Sequence, residues 1–171
     1  MDELEGFRKQ KDDFFKHSPQ SPLTPEQQAD FEGLTYFSEN PDLRFEAEVE
    51  RFAEDEEVQI QTNTGDVQTY ERYGRIKFEV EGQEAQLTVY QNENGFFLPF
   101  ADSLAGDETY GAGRYLEPEP AGGGRLYVDF NLAYNPYCAY NANWSCPLTP
   151  PENRIDVPIR AGEKVFEDHE N

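Results

Sequence analysis

The apolar positions change period once along the chain, and that change separates a helical start from a β-rich remainder. Residues 2–16 place Leu4, Phe7, Phe14 and Phe15 at i, i+3, i+7 spacing, which predicts an amphipathic helix, with Lys11 as the one charge inside the stripe. Asp2 with Glu5 three residues later forms a capping-box pattern at its start. The tract Ser18-Pro19-Gln20-Ser21-Pro22 stops that helix and forms a connector. Thr24-Pro25-Glu26-Gln27 then opens a second, shorter one, with a capping threonine, proline at the first position and Gln at the third. Gly33 is placed to end it.

Beyond Gly33 the period is two. Leu43, Phe45, Ala47 and Val49 alternate with Arg44, Glu46, Glu48 and Glu50, the pattern of a half-buried strand. Val58 and Ile60 begin another, and Asn63-Thr64-Gly65-Asp66 is a turn. Ile76, Phe78 and Val80 pair through the turn Glu81-Gly82-Gln83 with Ala85, Leu87 and Val89, a hairpin. Phe96 to Phe100, Arg114 to Leu116 and Arg125 to Phe130 continue the series. Short strands separated by frequent turns predict a mainly β, β-rich α+β fold, an antiparallel barrel-like or sandwich sheet with one or two N-terminal helices. The expected organisation is a single domain over 1–171. It comprises an N-terminal helical segment (1–33), an antiparallel β core (34–130), and an aromatic, Asn- and Pro-rich, Cys-containing loop with a C-terminal strand (131–171).

The last third differs in composition. Asp129-Phe130-Asn131-Leu132-Ala133-Tyr134-Asn135-Pro136-Tyr137-Cys138-Ala139-Tyr140 runs on to Trp144, Cys146 and Pro147-Leu148-Thr149-Pro150-Pro151-Glu152-Asn153. It holds both cysteines and the single tryptophan. Long irregular segments of aromatic and amide side chains often carry function.

These blocks resemble the prokaryotic family called domain of unknown function 1684. The resemblance extends to Phe97-Leu98-Pro99-Phe100 with Asp102, to Thr109-Tyr110-Gly111-Ala112-Gly113-Arg114-Tyr115-Leu116, to Ser21-Pro22-Leu23, and to Ile159-Arg160-Ala161-Gly162-Glu163-Lys164. It implies neither an activity nor a cofactor.

Charge narrows the partners. The chain carries 35 acidic and 14 basic residues, a formal net charge of −21, and only five of the basic residues are lysines. Such a load repels itself in dilute buffer and is screened at molar salt, which predicts a halophilic cytoplasm. The same field repels phosphate backbones and anionic leaflets, so nucleic acid and membrane surfaces are not expected partners. The N-terminus has neither a basic start nor an apolar h-region, which gives a cytoplasmic expectation. Asn143-Trp144-Ser145 matches a glycosylation acceptor without that context.

Three constellations are candidates for chemistry. Arg114, after Gly111 and Gly113 and beside Tyr110 and Tyr115, can offer a planar fork to a carboxylate or phosphate; equally, it can tie strands through Asp102 or Asp129. Asp129, Asn131, Tyr134 and Asn135 can hold a polar ligand or a water, or can fix a turn through backbone bonds. Cys138 and Cys146, with seven residues between them, fit a disulfide, part of a metal site or a pair of buried thiols; a zinc site would need about four ligands, and His17 and His169 lie near opposite ends of the chain. Gly111-Ala112-Gly113 lacks the third glycine of a dinucleotide fingerprint, Gly122-Gly123-Gly124 precedes Arg125 and no P-loop Lys-Ser or Lys-Thr, and no Gly-x-Ser-x-Gly elbow occurs.

The resulting expectation is a soluble module binding a small polar or anionic metabolite, through Arg114, Tyr115, Asp129, Asn131, Tyr134, Asn135 and Tyr140. Two alternatives use the same region. One is an enzyme of unassigned class with Asp129 as acid or base; the other is a module whose aromatic loop docks a protein partner. Cofactor and oligomeric state are left open.

Overall fold

The computed structural model describes residues 3–141 and 144–166. Helix α1 spans Glu3–His17 and α2 spans Pro25–Asp30. Thr24 caps α2 as its sequence predicts, accepting from the Gln27 amide while the Gln27 side chain accepts from the Thr24 amide. Gly33 does not end it. The chain leaves helical geometry at Phe31, whose extended backbone carries its ring into the interior. The Asp2 cap lies outside the described residues.

Among the described residues eight strands follow: β1 (Arg44–Glu48), β2 (Glu50–Gln61), β3 (Val67–Val80), β4 (Gln83–Asn92), β5 (Gly95–Phe100), β6 (Arg114–Leu116), β7 (Glu119–Gly122) and β8 (Arg125–Asp129). They form two antiparallel sheets, ordered β2-β3-β4-β5-β6 and β1-β8-β7. The fold is therefore mainly β and sandwich-like, without a closed barrel. The expected hairpin is present, with Ile76 opposite Leu87 and Phe78 opposite Ala85. β2 begins eight residues before Val58, because Glu50, Arg51, Glu56 and Glu57 pair with β3 on either side of an irregularity, without an apolar alternation to announce it.

Alternation decides which side chains meet. Ile76, Phe78, Val80, Leu87, Val89, Leu98 and Phe100 face Ala47, Leu126 and Val128 of the small sheet and Leu43 just before β1, and together they form the main core. Tyr90, one residue past Val89, points to the other face and is buried as well. There Tyr70, Phe97 and Tyr115 pack with Cys138 and Cys146. The irregular residues 134–141 and 144–153 thus lie over the second face of the large sheet. Asn153 fastens it: its amide donates to Thr88 O (2.8 Å) and Pro99 O (2.7 Å), and its Oδ1 accepts from Thr88 N (2.8 Å).

The expected C-terminal strand does not form among the described residues. Residues 154–166 run outside any ladder, with a parallel bridge from Arg154 to Ala101 and an antiparallel bridge from Glu163 to Tyr36. Side-chain donors from the interior take the place of strand partners. Gly162 is required there: its φ is +80°, and a Cβ would lie 2.6 Å from Ala133 O and 2.8 Å from Phe130 O. Gly65 has φ +93° with open space around it. Gly65→Ala should cost about 1–2 kcal/mol from backbone conformation alone, and Gly162→Ala should cost clearly more. Urea unfolding of the two variants measures the difference.

Candidate functional site

Helix α1 lies against the aromatic segment through one side of its stripe. Phe15 is buried with its ring 5.0 Å from Tyr140, edge to face, and 6.3 Å from Phe31. Asp12 holds the chain after α2, accepting from Leu34 N (3.0 Å) and from the Tyr36 hydroxyl (3.3 Å); burial raises its pKa above the usual carboxylate value. Lys16 reaches the carbonyls of Gln28 (3.1 Å) and Phe31 (2.9 Å) at the end of α2.

The other side of the stripe remains open. Phe7, Lys11 and Phe14 form one wall of a groove of about 680 Å³, and Tyr115, Tyr134, Tyr137, Trp144 and Cys146 form the facing wall. Phe7 stays 46% exposed, and Phe14 and Trp144 38% each. The Trp144 ring meets Tyr137 edge-on at 5.1 Å, and its Nε1 donates to Pro22 O (3.1 Å). Tyr134 donates to Glu117 (2.6 Å) and Tyr115 to Pro147 O, so both rings are held by their hydroxyls. Burial pushes the pKa of both phenols well up, so both stay protonated donors.

Lys11, the charge that interrupts the apolar stripe, pairs with the buried carboxylate of Glu163 and sits over the Tyr134 ring at 5.0 Å. Glu163 Oε1 accepts from the Tyr140 hydroxyl (2.5 Å) and from Asn135 N (3.1 Å), while Asn135 Nδ2 donates to Lys164 O (2.9 Å). Asn135 and Tyr140 therefore stand behind the groove wall, around Glu163.

Arg114 is 1% exposed and offers no open fork. Its guanidinium donates to the carbonyls of Ala161 (2.6 Å), Ile159 (2.9 Å) and Glu163 (3.0 Å), and Asp102 stands 3.7 Å away. Asp102 in turn accepts from Ile159 N (2.7 Å) and from the Thr109 hydroxyl (3.0 Å). Burial lowers the Arg114 pKa to about 10 against the opposing pull of Asp102 and Glu163, which leaves it protonated at neutral pH. Of the two roles open to it from sequence, the geometry is that of the tie to Asp102.

Asp129 and Asn131 lie apart from the groove and clip the end of β8. Asp129 Oδ1 accepts from the backbone and side-chain amides of Asn131 (3.0 and 2.9 Å), and Arg44 Nε lies 3.4 Å from its other oxygen. Asn131 exchanges hydrogen bonds with the Asn40 backbone (2.8 and 3.0 Å). An acid or base at Asp129 would have its carboxylate already engaged.

Cys138 and Cys146 are free thiols, both buried. Cys138 N donates to Cys146 Sγ (3.4 Å), and the Tyr110 hydroxyl lies 3.7 Å from Cys138 Sγ. The side-chain hydrogen bond between the two sulfurs drives their pKa values apart, Cys138 up and Cys146 down. Among the described residues no cluster of three or more His, Cys, Asp or Glu is arranged to hold a metal. His169 and Asn143 lie outside the described residues.

Of the residues expected at the site, Tyr115, Tyr134 and Cys146 line the groove. Sequence reasoning missed Phe7, Lys11 and Phe14 as a wall. The available signal was a stripe with more aromatic residues than one face could bury and a lysine at its centre.

The chain as a whole belongs to a known class. The family model described as protein of unknown function (DUF1684) matches residues 29–164, and the chain belongs to that family. The matched range begins after α1, so the helical wall of the groove lies outside it. An uncharacterised protein of Haloarcula marismortui, whose structure was determined by solution NMR, is 36% identical; the match covers 97% of this chain and 94% of that one, with a TM-score of 0.73. No curated protein matches the chain.

The tie at Arg114 has a measurable consequence. Arg114→Ala leaves the buried Asp102 without its cation and three carbonyls without this donor, and should destabilise the protein by about 3–5 kcal/mol. Arg114→Lys should recover only part of that, because an ammonium cannot span three acceptors as the planar fork does. Chemical denaturation of both variants gives the comparison.

Proposed function

We propose that the protein binds a small molecule with a flat, apolar body in the groove between α1 and residues 134–147. One observation carries the reading: Phe7, Phe14 and Trp144, three of the large exposed apolar side chains, converge on a single groove. Exposed apolar residues scattered singly need no explanation, whereas several around one concavity of this size form the usual wall of a small-molecule site. Gln10, Lys11 and Ser145 supply polar contacts along it, suited to a ligand with one polar group. A ligand anchored mainly by charge is less well served, because the Arg114 fork is fully engaged and Lys11 is already paired. The net charge of −21 further favours a neutral or cationic body, and aromatic faces accept a cation readily.

We also infer a salt-rich cytosol as the setting. The acid-rich, lysine-poor composition supports it, and so does the similarity to the Haloarcula marismortui protein.

Trp144 is the only tryptophan, so the groove reports on itself. In molar KCl, titration with a panel of neutral, cationic and anionic fused-ring compounds should change Trp144 emission saturably for at least one charge class. The same compound should raise the unfolding midpoint, by about 2.7 kcal/mol of stability at roughly a hundredfold excess over Kd. Tyr137→Ala should weaken that binding at least tenfold with the fold retained. An unchanged spectrum and midpoint across the panel would remove the small-molecule reading and leave the exposed rings to a protein partner.

A further inference from the structure

We propose that Cys146 is a reactive thiolate that exchanges with low-molecular-weight disulfides entering the groove, and that Cys138 is its resolving thiol. The two sulfurs occupy different positions. Cys146 lines the groove and is 7% exposed, whereas Cys138 is the middle residue of the 3-10 turn Tyr137–Ala139 behind it and is 4% exposed. Cys146 Sγ accepts from the Cys138 amide at 3.4 Å, so the two cysteines are in direct contact. An amide donor of this kind favours a sulfur anion at Cys146, while the contact with Cys146 and burial push the Cys138 thiol up and keep it protonated. An attacking sulfur on the open side and a protonated one within hydrogen-bonding contact is the arrangement that disulfide exchange needs.

The chemistry balances with an external disulfide RS–SR as the oxidant. Cys146 thiolate attacks one sulfur, forming Cys146–S–SR and releasing RS⁻. Cys138 then loses its proton and attacks Cys146 Sγ, forming the Cys138–Cys146 disulfide and releasing a second RS⁻. Two protein thiols are oxidised and one disulfide is reduced to two thiols. The aromatic walls favour an R group that is flat and apolar, and the reaction needs no further ligand in the groove.

The test uses 5,5′-dithiobis(2-nitrobenzoate), whose released thiolate is coloured, on the folded protein in molar KCl. Wild type should release two equivalents and finish with no adduct and an internal disulfide by mass spectrometry. Cys138→Ser should release one equivalent and retain the adduct on Cys146. Cys146→Ser should react at least tenfold more slowly than wild type. Because a serine variant can lose its fold, peptide mapping of wild type after a substoichiometric dose provides an independent reading, and the first adduct should fall on Cys146. The rate should reach half its plateau at a lower pH than an ordinary thiol, whose pKa is about 8.5, because the folded environment stabilises the charged form. Labelling that falls first on Cys138, or labelling of either cysteine no faster than global unfolding, would overturn the proposal.

Discussion

The buried carboxylate of Glu163 is where the separate parts of this molecule meet. It is 2% exposed, and it accepts from Lys11 on α1, from the Tyr140 hydroxyl and from the Asn135 amide in the aromatic segment. Its own carbonyl is one of the three acceptors of Arg114. A buried anion is tolerated only when its lone pairs are matched by donors, and here those donors come from elements far apart in sequence. The requirement to satisfy one charge therefore fixes where α1 sits and how the aromatic segment passes beneath it.

The groove follows from that placement. Lys11 holds α1 at its middle and Phe15 fills the space below, so Phe7 and Phe14, on the adjoining side, stay partly exposed, with the Phe14 ring 6.2 Å from that of Phe15. On the facing side the rings are positioned by polar anchors: Tyr115 to Pro147, Tyr134 to Glu117, Trp144 to Pro22. Rings held by their polar ends keep their faces available. Two neighbouring faces of one aromatic layer thus differ in role, one closed against the sheet and one left open.

Much of the β core was legible because its alternation is strict, as in Ile76 to Val80 against Ala85 to Val89, and because capping chemistry at Thr24 is local. What escaped was set by distant partners. The extended backbone at Phe31 follows from packing against Phe15, Leu23 and Tyr140 rather than from Gly33, and β2 reaches back to Glu50 through ladder bonds that charged residues make as well as apolar ones. The residues that looked most chemical, Arg114, Asp129 and Asn131, satisfy backbone groups of the chain itself. Lys11 looked like a flaw in a stripe, and its partner is 152 residues away.

Hydrogen exchange of wild type and Glu163→Gln, followed by mass spectrometry in molar KCl, tests the central role of this carboxylate most directly. If Glu163 fastens the groove walls, exchange should accelerate across residues 3–17 and 134–147 while β3, β4 and β5 keep their protection. Unchanged exchange in both walls, or a uniform loss of protection across the whole chain, would contradict it.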